Sequence, residues 1–388
     1  MQLADIITQR VQRVTAATHA ALHEPSFKGN ERAYVTDCIT TGWVSSVGSY
    51  VDRFERDLAA YTGAAYAVVV SNGTSGLHIA LQLAGVQPDD EVLVPALSFV
   101  ATANAVRHCG AHPHFVDSEA STLGMATDAL SGHLERVGES RNGRCVNKRT
   151  GRPISAMVPM HTFGHPADMP ALQQVAARHG IEVVEDAAES LGSWIGNRHT
   201  GTFGRCGMLS FNGNKIVTTG GGGAIITNDG TLAQRAKHLT TTAKLPHPWA
   251  FLHDQVGYNF RMPNLNAALG CAHLERLDGF LHAKRELTAR YQAALGDVRG
   301  VRLFTERPGT RANYWLQTLL LEPGVADQRD AILASTNAAG QMTRPAWELL
   351  TTLPMYRACE SMPTPVAQDL ARRIVNLPSS PQLVTGNP

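Results

Sequence analysis

Between residues 55 and 240 short apolar runs recur, and most are separated by helical patterns. The runs are Ala65 to Val70, Glu91 to Val94, His114 to Val116, Ala156 to Met160, Ile181 to Val184, Gly207 to Phe211 and Gly223 to Thr227. Strands this short and this apolar are buried on both faces, and chain segments of helix length between them favour parallel pairing. The pattern predicts an α/β fold, with a mainly parallel seven-stranded sheet covered by helices in a large domain. Two helices are well marked. Gly76 to Leu83 places Leu77, Ala80 and Leu81 on one face, and Asp168 to Arg178 begins at a plausible N-cap and stops before Gly180.

Outside that region the reading is coarser. Leu3, Ile6, Ile7, Val11 and Val14 share a helical face, so residues 1–54 read as an N-terminal helical arm. Residues 55–264 hold the sheet. Residues 265–388 read as a long helix, N-capped by Asn264 and running to about Ala294, followed by a smaller C-terminal α+β domain with a strand over Tyr314 to Leu321. The polar, basic stretch Val137 to Pro153 is expected to be an exposed hairpin or loop.

Composition removes several function classes. A chain of 388 residues with formal net charge +1 has no electrostatic footprint for nucleic acid or an acidic membrane. No apolar run has transmembrane length, and the N-terminal helix carries Asp5 and lacks the apolar core of a signal peptide. A cytoplasmic location is expected. The six cysteines are scattered without a CxxC pair, which points to free structural thiols. His108, His112 and His114 cluster without acidic or thiolate partners, so no metal site is expected, and surface or strand-edge positions are.

The chemistry gathers behind the strands. Lys215 stands in Ser210-Phe211-Asn212-Gly213-Asn214-Lys215, ahead of the glycine run Gly220 to Gly223. Glu185-Asp186-Ala187-Ala188-Glu189 closes the Ile181 to Val184 strand. A lysine on a loop can form a Schiff base, and an aspartate at a strand end can pair with a pyridinium nitrogen, so this pair suits pyridoxal 5'-phosphate. Ser71-Asn72-Gly73-Thr74-Ser75-Gly76 follows a strand and opens a helix, where free N–H groups and the hydroxyls of Thr74 and Ser75 suit a phosphate. Ser210 is placed to reach the same phosphate. Phe99, after Pro95-Ala96-Leu97-Ser98, either stacks on a flat ring or belongs to the core. His161 is open in the same way, as a cofactor contact or a structural histidine.

Taken together, these segments resemble the DegT/DnrJ/EryC1/StrS sugar aminotransferases, a branch of the fold type I, aspartate-aminotransferase-like enzymes. Phe163-Gly164-His165-Pro166-Ala167-Asp168-Met169 and Gly257-Tyr258-Asn259-Phe260-Arg261 complete the likeness, which covers nearly the whole chain. It implies that Lys215 is the Schiff-base lysine and Asp186 the partner of the ring nitrogen. Thr74, Ser75 and Ser210 then bind phosphate, and Phe99 stacks on the ring. Glu189 stands where many members carry Gln or His near the cofactor's 3-oxygen. Asn259 matches an asparagine that reaches the phosphate of the neighbouring subunit, which implies a homodimer with shared sites. Some relatives are C3 dehydratases, but those replace the lysine that Lys215 retains.

A narrower similarity suggests a substrate. Thr41 to Gly48, Asn147 to Gly151, Thr343 to Trp347 and Asn376 to Ser380 resemble the branch tied to legionaminic acid and bacillosamine-type sugars. That branch implies transfer of an amino group from L-glutamate to C4 of a UDP-linked 2-acetamido-4-keto-2,4,6-trideoxyhexose, for surface polysaccharide or glycan precursors. Trp43 and Trp347 would flank the sugar, with Ser45 or Ser46 at its polar groups, although either tryptophan could instead pack at the domain junction. Arg261 is a candidate for the diphosphate or for a structural ion pair. The alternative substrate is GDP-4-keto-6-deoxymannose, the substrate of a perosamine synthase. From a different class, a non-catalytic regulator that binds the cofactor would also use such a site.

Overall fold

The computed structural model describes residues 2–385, so Met1 and the last three residues of the C-terminal segment lie outside the description. Its main sheet has eight strands in the order Tyr66–Val70, Gly223–Thr227, Cys206–Ser210, Glu182–Asp186, Ile154–Met157, Glu91–Pro95, His112–Val116 and Glu360–Ser361. All seven expected strands are present, with ends shifted by at most three residues. Gly223–Thr227 runs antiparallel to both neighbours, and the other five pairings are parallel. The eighth strand comes from the C-terminal segment. At two residues it is too short to leave a period-two signal.

The strands are apolar throughout because both faces are covered. Val92 and Val94 pack into one cluster with Leu77, Ile79 and Val106, whereas Leu93 between them packs with Leu172, Val175 and Val183 on the other side. This alternation is the pleat of a strand expressed as two cores. A third cluster joins Val69 and Ile226 to Phe54, Leu58 and Phe280.

The helix Gly73–Leu83 starts three residues before the expected Gly76, because Asn72 caps it by accepting a hydrogen bond from the Ser75 N–H. Met169–His179 follows expectation closely. Asp168 accepts from the Ala171 N–H, and Gly180 ends the helix in the left-handed region at φ 64°. The long helical pattern is two helices, Asn264–Leu274 and Leu277–Leu295.

The cap of the first is Pro263 rather than Asn264, whose side chain is buried and turned to other work. Its Oδ1 accepts from the N–H groups of Tyr50 and Val51, and its Nδ2 donates to the Trp43 carbonyl. The Asn264 N–H also donates to the Ser45 carbonyl. One residue thus ties the Gly42 to Gly48 segment to the helix Ser49–Thr62.

A four-stranded antiparallel sheet of Val301–Leu303, Gln317–Leu321, Ile374–Leu377 and Arg344–Pro345 forms the smaller unit. Its second strand begins at Gln317 rather than Tyr314, since Tyr314 adopts φ 50° and breaks the extended run. The N-terminal helix Leu3–Thr15 packs Ile7, Val11 and Val14 against Leu287, Tyr291, Leu319 and Val375 of this unit. Full burial of each such side chain contributes about 1.5–3 kcal/mol.

Residues Gly138–Arg141 and Arg144–Asn147 form the expected hairpin, turned at Asn142 and Gly143, both with positive φ. The insert also satisfies a buried carboxylate, because Asn147 and Thr150 donate to Glu91. His114 lies neither at the surface nor at a free edge. It is buried, with Nδ1 against Glu91 at 2.8 Å and Nε2 against His133 at 2.9 Å.

Candidate active site

Asp186 and Ser210 each end a strand of the main sheet, and Asn72 and Phe99 follow closely after two others. These carboxyl ends lie on one edge, where an open α/β sheet offers a crevice. A cavity of about 310 Å³ opens there, and Asn72, Thr74, Phe99, Asp186, Glu189, Ser210, Lys215, Trp315 and Trp347 are among its walls.

The loop that carries Lys215 is closed by its own backbone. Phe211 N–H donates to the Gly222 carbonyl at 2.9 Å, Thr219 N–H returns to the Phe211 carbonyl at 3.0 Å, and Lys215 N–H donates to the Asn212 carbonyl at 2.9 Å. The left-handed turn at Gly220, φ 76°, allows the return. Lys215 thereby projects inward. Its Nζ lies 3.3 Å from Glu189 Oε1, while Glu189 Oε2 accepts from the Phe163 N–H at 2.9 Å. The other side of the amine faces the Trp315 ring, with the centroid 3.7 Å away.

Asp186 is buried behind the cavity. Its Oδ2 accepts from Thr102 Oγ1 at 2.7 Å and its Oδ1 from the Ala188 N–H at 3.2 Å. Burial pushes its carboxyl above the usual aspartate range, against the opposing pull of those hydrogen bonds and of Lys215. Burial also raises Glu189, with Lys215 and the Phe163 N–H pulling it back. Two buried acids thus share a single nearby amine, and a cationic ring nitrogen beside Asp186 would supply the counter-charge that is otherwise lacking.

The opposite end is built for close backbone approach. A Cβ on Gly223 would meet Asn72 C and Gly73 N, each at 2.8 Å, so glycine there lets the start of the helix Gly73–Leu83 sit against the sheet. Thr74 and Ser210 border this end of the cavity. The donor set fits pyridoxal phosphate. Lys215 offers the amine, Asp186 the acid for the ring nitrogen, Phe99 a half-exposed aromatic face, and the helix start with Thr74 and Ser210 the phosphate cradle.

Other expected residues stand elsewhere. Ser75 belongs to the helix start but does not line the cavity. His161 is fully buried and engaged on both nitrogens. Nδ1 accepts from the Ala167 N–H, so Nε2 carries the proton it shares with Glu185, 3.1 Å away. It does not line the cavity, and both of its nitrogens are spent on the protein behind Asp186.

Trp43 and Ser45 are exposed, Ser46 is half-buried, and all three are absent from the cavity wall of their own chain, because Asn264 holds their segment away from it. Trp347 does line the cavity, packed on Phe163 with ring centroids 4.9 Å apart. Asn259 and Arg261 bond to each other, Arg261 Nε to Asn259 Oδ1 at 3.1 Å, and neither borders the cavity of its own chain.

The structure adds residues that the sequence reading passed over. Trp315 and Thr102 contact the lysine and the aspartate directly. Asn313 donates to the carbonyls of Glu189 and Leu191 and accepts from the Trp315 N–H. Thr102 follows Phe99 by three residues on the same turn and could have been suspected from that spacing. Trp315 and Asn313 come from a segment 100 residues beyond Lys215 and carry no local signal.

Comparison with known proteins agrees with this geometry. The DegT/DnrJ/EryC1/StrS aminotransferase family matches residues 25–387. The chain is 36% identical to a GDP-perosamine synthase of Escherichia coli O157:H7, over 93% of both chains. It is 35% identical to a GDP-perosamine synthase of Vibrio cholerae, over 93% of this chain and 94% of that one. A solved aminotransferase, TlmJ of Streptoalloteichus hindustanus, superposes with a TM-score of 0.83 at 29% identity, covering 93% of each chain. The chain therefore belongs to the DegT/DnrJ/EryC1/StrS family and is a pyridoxal phosphate-dependent sugar aminotransferase of fold type I.

Proposed function

We propose that this enzyme moves an amino group from L-glutamate to C4 of GDP-4-keto-6-deoxymannose, the reaction of a perosamine synthase. The similarity to two GDP-perosamine synthases along more than nine-tenths of each chain carries this reading. It replaces the UDP-linked 2-acetamido sugar as the preferred substrate. The acetamido pocket expected from Trp43, Ser45 and Ser46 has no support from residues that lie outside the cavity.

When bound, the cofactor supplies an electron sink and carries the amino group between glutamate and the sugar. The chain's residues do the rest. Lys215 would hold the cofactor through its amine and, when free, would be the group that moves the proton at the substrate carbon. Asp186, paired with Thr102, would keep the ring nitrogen of the bound cofactor protonated. Phe99 and Trp347 line the apolar side of the cavity, with Phe163 packed against Trp347, and exclude water. The match to the aminotransferase family along residues 25–387 sets aside a cofactor-binding regulator without turnover.

Asn259 and Arg261 are proposed to act across a homodimer interface, Asn259 on the partner's phosphate cradle and Arg261 on the diphosphate of its substrate. Asn259 is exposed and Arg261 half-buried, both away from their own cavity, which supports this assignment. Among the described residues no helix is long and apolar enough to cross a membrane, and a cytoplasmic location is proposed with it.

The test loads the enzyme with pyridoxamine phosphate and offers a panel of GDP-, UDP- and dTDP-linked 4-keto sugars, read by mass spectrometry. The GDP sugar is expected to lead by at least roughly tenfold in kcat/KM. Preference for the UDP acetamido sugar would overturn the substrate and leave the aminotransferase.

A further inference from the structure

Lys215 has a second task that the reaction imposes. Once released from the cofactor, its amine sits on a flexible four-carbon stem and must stay within reach of the carbon it serves. We propose that the indole face of Trp315, fixed from behind by the buried amine of Lys284, is the seat on which the free Lys215 amine rests between half-reactions, with Glu189 as its counter-charge.

The seat is rigid on every side. The ring centroid is 3.7 Å from Lys215 Nζ, close enough for a cation–π contact in a site largely cut off from water. Trp315 Nε1 donates to the Asn214 carbonyl at 2.7 Å, so the ring is tied to the peptide next to the lysine it faces. Asn313 accepts from the Trp315 N–H at 2.8 Å and donates to the Glu189 carbonyl at 2.8 Å, which couples the aromatic wall to the acidic wall.

Lys284 closes the arrangement. It is fully buried on the helix Leu277–Leu295 and donates to the carbonyls of Trp315 and Ser379 and to the Ser379 hydroxyl. Three donors meet three acceptors, and among the described residues no carboxylate pairs with it. A buried amine without a counter-ion is costly to keep, and packing alone would be served by methionine. Its one contact toward the catalytic lysine runs through the Trp315 backbone, so Lys284 is a positioning residue.

The test measures how Lys215 engages the cofactor, separately from turnover. Pyridoxal phosphate added to cofactor-free protein reacts with Lys215: the amine nitrogen adds to the aldehyde carbon and one water leaves, with no redox change. The rate is followed by the visible absorbance of the linked cofactor. Affinity for pyridoxamine phosphate, which cannot form that link, is measured in parallel by equilibrium dialysis.

Trp315→Leu is expected to slow linkage on the order of 10- to 100-fold while pyridoxamine phosphate binds within about twofold of wild type. Trp315→Phe, which keeps an aromatic face, should recover most of the rate. Lys284→Met should slow linkage in the same way, again sparing pyridoxamine phosphate. Wild-type linkage rates in Trp315→Leu would overturn the proposal. An equal loss of pyridoxamine phosphate affinity would also overturn it, since it would mark a general collapse of the pocket. If Lys284→Met does not fold, the two Trp315 variants decide the seat by themselves.

Discussion

The carboxylate of Asp186 accepts a 2.7 Å hydrogen bond from the hydroxyl of Thr102, a residue on the helix that follows Phe99. Asp186 ends one strand and Thr102 follows another, so the bond locks the acid across the crevice, where it would serve the ring nitrogen of the bound cofactor. Asp186→Asn should lower turnover by orders of magnitude, because an amide cannot hold the ring proton by charge. Thr102→Val should cost roughly 10- to 100-fold, the worth of one hydrogen bond to a charged group. Steady-state kinetics of the two variants checks the ranking. Near-normal rates in Asp186→Asn would reduce the aspartate to a turn cap.

Lys215→Ala should abolish turnover with the fold intact, since covalent catalysis needs this one amine. Borohydride reduction of the wild type should then mark a single peptide, the one containing Lys215. Mass spectrometry that finds the label on another lysine would remove the basis of the assignment.

In the cofactor-free protein, the contribution of Asp186 and Glu189 to stability should fall as pH rises through the acid range. Asp186 and Glu189 are both raised by burial above their ordinary values of 3.8 and 4.5. Above those values the unfolded chain has released protons that the folded chain still holds, so the folded state binds more protons and stability falls with pH up to the folded values. Asp186→Asn and Glu189→Gln remove that dependence. Their melting temperatures, relative to wild type, should therefore improve from pH 4 toward neutrality. A constant difference across that window would mean that neither carboxyl is raised.

Mixing Lys215→Ala chains with Asn259→Ala chains should restore activity above either parent. In a homodimer with shared sites, the mixed species has one intact site and one doubly damaged site. Verified subunit exchange without a rise in activity would place Asn259 away from any partner's cradle.

Asn264→Ala should destabilise the chain by about 1–3 kcal/mol, because it strands the Tyr50 N–H and the Trp43 carbonyl and removes one acceptor of the Val51 N–H. Gly48→Ala should be damaging at the same point for a steric reason, since a Cβ there would stand 2.3 Å from the Asn264 side chain. Urea midpoints report both changes, and a shift near zero for Asn264→Ala would show the segment to be held by other contacts.

Much of this was legible in the chain itself. Period-two packing made Val92 to Val94 a strand whatever surrounded it, and the turn chemistry after the strands placed Asn72, Asp186 and Lys215 at one edge. These signals are local, since a few consecutive residues determine a pleat, a cap or a glycine turn. Other assignments needed partners distant in sequence. His161 lies one residue beyond the expected strand, and only the placement of Glu185 and Ala167 turns it away from the cavity. Asn264 has the look of a cap, yet the backbone at Tyr50 and Val51, more than 200 residues earlier, draws its side chain elsewhere.

The sequence by itself determined the α/β sheet and the lysine and aspartate of the site, because each follows from short-range patterning and the chemistry of its own side chain. The tertiary structure alone decided what faces that lysine. Trp315 faces it from the smaller unit, held by Asn313 and Lys284, and their positions follow from how two separately patterned cores close against each other. No stretch of adjacent residues encodes that meeting, which arises from long-range packing and appears only once the chain has folded.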